Sequence, residues 1–361
     1  MLAEITTPVD LCLPSGSLNP RAVGWTRAPL HRANLRTGSP LGRAATWSRT
    51  KRWEHWCVIT PDHVVSVTAS ALNYAGFHQV WLLDRRTGEE VECSAADPLA
   101  REARMPSVCG AGPVRARAGR LAIAVDPLTQ IVRPDDDPRS WAVPGAHPAL
   151  PSRPGARLRA LTPRLRLDLL VDVPAGHECL GVVVPWTDRL FQYTVKDVAL
   201  PVRGRLWLDG EEVAVGGPGT WAVMDFGRGR WPYSVVWNRG TGSGVVDGVV
   251  TGLQLGGKWT DGTGATENAL LVDGRVHYLG EDLSWAYDET DYTSPWFVTG
   301  PRVQVRLTPF HERSARSSLG VVATEAHQCF GTWAGWVVDD DGTERPVDGL
   351  VGWAEEVANR W

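Results

Sequence analysis

Hydrophobic and polar residues alternate with a period of two along much of the chain. RLRLDLL (Arg164 to Leu170), RVQVRL (Arg302 to Leu307) and HVVSVTASALNY (His63 to Tyr74) each place every second side chain on one face, the pattern of a strand with one side inward. Asp-Gly pairs sit between such segments at LDGEEV (Asp209, Gly210), LVDGRVHYL (Asp273, Gly274) and VVDDDGTERPV (Asp341, Gly342), where a positive φ is easily reached and a tight antiparallel hairpin closes. LLDRRTGEEVEC, from Leu82 to Cys93, reads as a further hairpin. Helical periodicity is scarce. In the closing GWAEEVANRW, Trp353, Val357 and Trp361 recur every four residues and predict a short terminal helix. No short fixed repeat is present, which removes propellers and solenoids. The pattern predicts an all-β fold of antiparallel meanders, as barrels or curved sandwiches, closed by a short C-terminal helix.

At 361 residues the chain exceeds what one hydrophobic core usually fills, so two packed β units are expected. A boundary near Gly219 gives an N-terminal unit over 1–219 and a C-terminal unit over 220–361. Between Asp126 and Gly155, prolines withhold ladder donors and three successive aspartates repel one another, so this stretch reads as a long surface loop within the first unit. Composition adds one strong feature: 18 Trp stand against 6 Phe and 6 Tyr. An indole joins a large apolar face to one N–H that seeks a partner, which suits the wall of a cavity.

A net charge of −4 with dispersed Lys and Arg gives no footprint for a nucleic acid or an anionic membrane. No apolar run reaches the roughly 18 residues of a membrane helix, and MLAEITTPVDLCLPSG lacks the basic and apolar parts of a signal peptide. The expectation is a soluble cytoplasmic protein. Cysteines 12, 57, 93, 109, 179 and 329 include no Cys-x-x-Cys pair and read as reduced thiols. The nine histidines are dispersed, so no metal site is expected, nor any cofactor. TGLQLGGKWT has phosphate-loop spacing, but Trp259 stands where a Ser or Thr would ligate magnesium. Dinucleotide fingerprints, nucleophile elbows and zinc-protease helices are absent.

Three stretches concentrate candidate chemistry: VVVPWTDRLFQYTVK, WAVMDFGRGRWPYSVVW and GATENALL. Alternation puts Trp221, Val223 and Asp225 on one strand face, and Ala222, Met224 and Phe226 on the other. An inward Asp225 would hold its proton more tightly unless Arg228 or Arg230 pairs with it. Alternatively, Asp225 caps a Gly227 to Gly229 turn while both arginines face solvent. Trp231, Tyr233 and Trp237 alternate as a cavity wall or an ordinary core would. Glu267 and Asn268 enter a strand where its backbone becomes buried, or simply end a loop. Gln192, Thr194 and Lys196 share a face, with a solvent-facing edge lysine as the plain reading. His327, the Trp53–Glu54–His55–Trp56 run and Arg27 carry less weight, Arg27 reading as a surface arginine.

Taken together, GWTRAPL, KRWEHWCV, VVPWTDRLFQYTVK, MDFGRGRWPY, TENALLVDGRVHYL and GWAEEVANRW resemble the bacterial family called domain of unknown function 2804, over nearly the whole chain. More distantly, the stretch from QYTVKDVALP to MDFGRG looks like carotenoid 1,2-hydratase (hydroxyneurosporene synthase) and AttH-type proteins. That likeness implies two lipocalin-like, or calycin-like, units with a ligand space. It sets Asp225 on the aspartate of a Trp-Met-Asp-His-Glu-Trp-Gly stretch and Trp221 near its tryptophan. Phe226 and Gly227 replace the His and Glu, a departure that bears on hydratase chemistry itself.

Three functional classes follow. In the first, an acid/base enzyme of hydratase, cyclase or isomerase type acts on an apolar small molecule. Asp225 and Glu267 then exchange protons and Arg228 stabilises negative charge. Trp186, Tyr193, Lys196, Trp221, Arg230, Trp231, Tyr233, Trp237 and Asn268 contact the ligand. The second is a carbohydrate-active enzyme whose Asp225 and Glu267 flank a glycosidic bond. The third is a non-catalytic lipocalin-like carrier of an apolar ligand.

Overall fold

The computed structural model describes residues 2–128, 155–319 and 322–360, so most of the loop expected over 126–155, and Trp361 of the expected helix, lie outside the described residues. What is described is nearly all β, in two curled antiparallel sheets of ten and thirteen strands and a separate two-stranded parallel pair, Val9–Asp10 with His31–Arg32. The helical turns among the described residues are Pro20–Ala22, Pro40–Ala45 and Trp47–Arg49.

The chain divides into two compact units. The first comprises Met1–Thr50, Glu178–Ala199 and Arg228–Trp361, and the second comprises Lys51–His177 and Leu200–Gly227. The chain thus crosses from one unit to the other after Thr50, His177, Ala199 and Gly227.

In the first unit the ten-stranded sheet runs in the order Arg275–Leu279, Asn268–Val272, Val249–Gly257, Ser234–Val246, Val351–Arg360, Val322–Val338, Val303–Leu319, Trp296–Gly300 and Ser284–Ala286, with Glu344–Pro346 beside Val322–Val338. Alternation explains its core. Val303, Val305 and Leu307 of the RVQVRL pattern pack with Leu253, Leu255, Leu270, Trp296, Trp333 and Ala354. In the second unit the meander Thr50–Ile59, His63–Ala71, Ala75–Asp84 and Glu90–Pro98 pairs strand by strand. Leu165, Leu167 and Leu169 of RLRLDLL are buried there as the alternation predicts.

Two of the expected Asp-Gly turns are two-residue hairpins. Asp209 and Gly210 join Leu208 to Glu211 with φ of 51° and 93°, and Asp273 and Gly274 join Val272 to Arg275 with φ of 48° and 81°. Positive φ at both central residues is the twist-matched hairpin geometry. The third is wider: Val338 pairs with Glu344, and the Asp339 carboxylate ties the loop by accepting from the Asp341 and Thr343 amides, both at 2.9 Å.

The terminal helix is not formed. Val351–Arg360 is a strand between Ser234–Val246 and Val322–Val338. A spacing of four is even, so Trp353 and Val357 share a face of a strand as readily as of a helix. The neighbouring strands supply hydrogen-bond partners that an isolated one-stripe helix of ten residues lacks.

Candidate functional site

MDFGRGRWPY does not turn at its glycines. Trp221–Arg230 is one continuous strand, and the glycines lie on the same face as Asp225, where they make room. A Cβ on Gly227 would stand 2.1 Å from Trp53 Cε2, and one on Gly229 would stand 2.3 Å from Gln192 Oε1. The Trp53 indole instead crosses Gly227 and donates Nε1–H to Asp225 Oδ1 at 3.3 Å, within the second unit. Asp225 is 6% exposed. Strand alternation sets Arg228 and Arg230 on the opposite strand face from Asp225. Neither arginine faces solvent, at 1% and 3% exposed. Arg230, in the first unit, donates to the Gly16 carbonyl and, at 2.8 Å, to the Leu35 carbonyl, and lies over the Phe191 ring. It fastens the N-terminal segment.

The densest chemistry lies in the first unit, between two hairpins. One joins Leu180–Pro185 to the start of Phe191–Leu208, with Leu180 opposite Lys196. The other joins Val249–Gly257 to Asn268–Val272, with Gln254 opposite Ala269. Leu253, Leu255 and Leu270 point into the apolar core. Alternation therefore turns Gln254, Ala269 and Glu267 to the other face, toward Lys196.

Lys196 is not the expected solvent-facing edge residue. Its Nζ is 3.1 Å from Glu267 Oε2, and the two side chains are 5% and 2% exposed. The other carboxylate oxygen, Oε1, accepts the Trp259 indole N–H at 3.0 Å. Glu267 can lie across the sheet only because position 256 is glycine: a Cβ there would come within 2.3 Å of Glu267 Cγ. Asn268 fixes the strand end, accepting the Gly256 amide at 2.6 Å and donating to the Glu281 carbonyl at 2.9 Å.

Trp259, which touches Glu267, belongs to a cluster of indoles. Trp259 stacks on Trp231 with centroids 5.4 Å apart, Trp186 meets both at 5.7 and 5.1 Å, and Trp237 meets Trp231 edge-on at 6.0 Å. Their N–H groups are tied down: Trp186 to the Trp259 carbonyl at 3.0 Å, Trp231 to Gln192 Oε1 at 2.6 Å and Trp237 to Glu355 at 3.1 Å. The arrangement is a buried carboxylate and ammonium beside a rigid aromatic cluster, able to give and take protons beside an apolar surface.

The structure thus brings together Glu267, Lys196, Asn268, Trp186, Trp231 and Trp237 of the expected residues. Tyr193 lies on the opposite strand face, buried, its ring 4.5 Å from that of His31. Tyr233 is exposed, with the Arg49 guanidinium 5.7 Å from its centroid. Asp225 and Trp221 belong to the second unit. Sequence reasoning missed Trp259 and Gln192 as site members. Trp259 was legible only as the residue that spoils a phosphate loop, and Gln192 only as a face-mate of Lys196.

The lesser candidates resolve as ties within the protein. Arg27 is no surface default: it bonds Glu4 at 3.1 Å and Glu178 at 3.0 Å. His55 pairs with Thr68 Oγ1 at 2.7 Å, and Trp56, not His55, serves Glu54, at 2.9 Å. His327 Nδ1 meets Glu312 at 2.8 Å under the Tyr292 ring. Lys258 of the rejected phosphate loop pairs with Glu356 and, at 2.7 Å, with the Tyr287 hydroxyl. Burial pushes the Cys329 thiol up to about 12, which leaves it unreactive.

The sequence matches a family model described as "Domain of unknown function (DUF2804)" over residues 2–361. No curated protein matches it. Solved structures that resemble it include a putative AttH from Nitrosomonas europaea, with a TM-score of 0.47, 13% identity and coverage of 85% of this chain and 92% of that one. Kievitone hydratase from Nectria haematococca has a TM-score of 0.48 and 10% identity, covering 86% and 88%. CghA with Sch210972 has a TM-score of 0.48 and 12% identity, with the same coverage.

Proposed function

The chain belongs to the DUF2804 family, and we propose that it is a small-molecule enzyme of acid/base type, acting as a hydratase, cyclase or isomerase on a largely apolar compound. The observation that carries the reading is the Lys196–Glu267 pair, 3.1 Å apart and almost wholly buried, with the Trp259 indole N–H on Glu267. A buried ion pair is seldom kept for stability, because removing two charges from water offsets most of their attraction. Kept in the interior beside Trp259, it supplies a proton acceptor and a proton donor away from bulk water, the condition under which side-chain acid/base catalysis is effective. Glu267 is the proton-transferring group. Lys196 holds its charge and aligns it, and Trp186, Trp231, Trp237 and Trp259 shape the apolar surface. Asp225, with its Trp53 donor at 3.3 Å, is a separate buried carboxylate of the second unit, and no step is assigned to it.

The test begins with the small molecules that copurify with the protein, extracted and identified by mass spectrometry and then returned to wild type and to Glu267→Gln. The amide keeps the shape of the side chain and an acceptor for Trp259. Conversion by wild type and a loss of about 100-fold or more in the variant is the expected result. Equal turnover by a folded E267Q removes Glu267 from the chemistry. A tightly held compound that neither protein alters supports the non-catalytic carrier instead.

A further inference from the structure

A cavity of about 10 Å³ lies beside Lys196, its wall including Glu178, Lys196, Gln254, Leu180, Val198 and Ala269. That is about the volume at which a cavity admits one water molecule and nothing larger. Glu178, Lys196 and Gln254 are its polar members, and Gln254 has an acceptor to spare. Its neighbours on the strand, Leu253 and Leu255, fill the apolar core, while Gln254 faces the other way at 1% exposure. Its Nε2 donates to the Leu255 carbonyl at 3.3 Å, and its Oε1 has no hydrogen-bond partner among the described residues. A buried acceptor left so costs about 1–3 kcal/mol, which leucine at this position would avoid. Something must meet that oxygen. Lys196 lines the same cavity, and its ammonium, a group with three N–H donors, stands 3.1 Å from Glu267 Oε2.

We propose that this cavity is a water site, seating one ordered molecule that donates to Gln254 Oε1 and accepts from Lys196 Nζ. Gln254 is then a positioning residue that acts through the water on the Lys196–Glu267 pair. When Glu267 takes up a proton, Lys196 loses its counter-charge inside an apolar wall, and the water keeps that ammonium solvated. This role rests on the acid/base reading above; the residence of the water does not.

A crystal structure of the wild-type protein at about 1.5 Å decides the residence. One isolated peak about 2.7–3.2 Å from Gln254 Oε1 is expected. No peak, or Oε1 accepting from a protein donor, overturns the site. Oxygen-17 relaxation dispersion gives a second readout: Gln254→Leu should hold one long-lived internal water fewer than wild type, and equal counts speak against the site. The role is read with the copurified compound. In Q254L, kcat should fall at least tenfold with KM little changed, and the acidic limb of the kcat profile should move. A water that is present in wild type while Q254L turns over normally overturns the role alone. Full turnover by E267Q overturns the acid/base reading and leaves the crystallographic peak untouched.

Discussion

Replacing Lys196 by Met removes the ammonium 3.1 Å from Oε2 of Glu267, whose side chain is 2% exposed. Breaking a buried pair from one side costs about 3–5 kcal/mol, because the remaining charge is stranded in the interior. The Trp259 N–H still reaches Oε1 at 3.0 Å, and one donor to an anion is worth about 1.5–3 kcal/mol. K196M should therefore sit at the lower end, near 3 kcal/mol. Glu267→Leu strands the ammonium and orphans the indole N–H together, so it should lie near the upper end. The double variant K196M/E267L has no stranded charge. Apolar replacement of a buried pair is neutral or stabilising by about 1–4 kcal/mol, less about 1 kcal/mol for the orphaned indole donor. It should lie at or above wild type. Urea unfolding followed by tryptophan fluorescence and circular dichroism measures this, each transition fitted separately because the two units can unfold apart. Singles that cost under about 1 kcal/mol, or a double that costs the sum of both, refute the reasoning. A stable double variant that no longer converts the copurified compound would show that the pair is kept for chemistry.

Further consequences follow. Gly227→Ala sets a Cβ 2.1 Å from a rigid indole and displaces Trp53 from Asp225, so its melting transition should fall by the equivalent of about 3 kcal/mol or more. Gly112→Ala, whose Cβ would meet only Pro106 at 3.6 Å, should stay within about 0.5 kcal/mol of wild type in the same melt. Burial holds the imidazoles of His31, His78 and His277 below their usual pKa, so the unfolded chain binds protons that the folded protein refuses. Their stabilising contribution is complete above about pH 6.5 and is lost as pH falls toward the depressed folded values. The urea midpoint should drop between pH 7.5 and 5.5, and a flat or rising midpoint contradicts the assignment. Trp259→Phe removes a donor to Glu267 while keeping the ring stack, and should lower stability by about 1–3 kcal/mol in urea titration.

Much of the fold is written in period-two alternation, and the strands that carry it, such as Val303, Val305 and Leu307, fill the core as read. The terminal strand misled because Trp353 and Val357 are spaced by four, which both periodicities accept. Gly227 and Gly229 misled for a related reason. Glycine marks either a turn or a close approach, and only the distant residues Trp53 and Gln192 reveal which. The site was half legible. Glu267 stood out as a carboxylate entering an apolar strand, but its partner Lys196 lies 71 positions away in sequence. Which lysine meets it depends on two hairpins facing one another, information that no local pattern holds. The same non-locality hid Trp259 and turned the predicted edge lysine into a buried one.

The most direct test of the central claim is a crystal structure of the protein with the compound that copurifies with it. A reacting atom of that compound within hydrogen-bond distance of the Glu267 carboxylate, against Trp231 and Trp259, is the predicted result. A compound seated away from Glu267, with the Lys196–Glu267 pair undisturbed and shut off from it, would contradict the account.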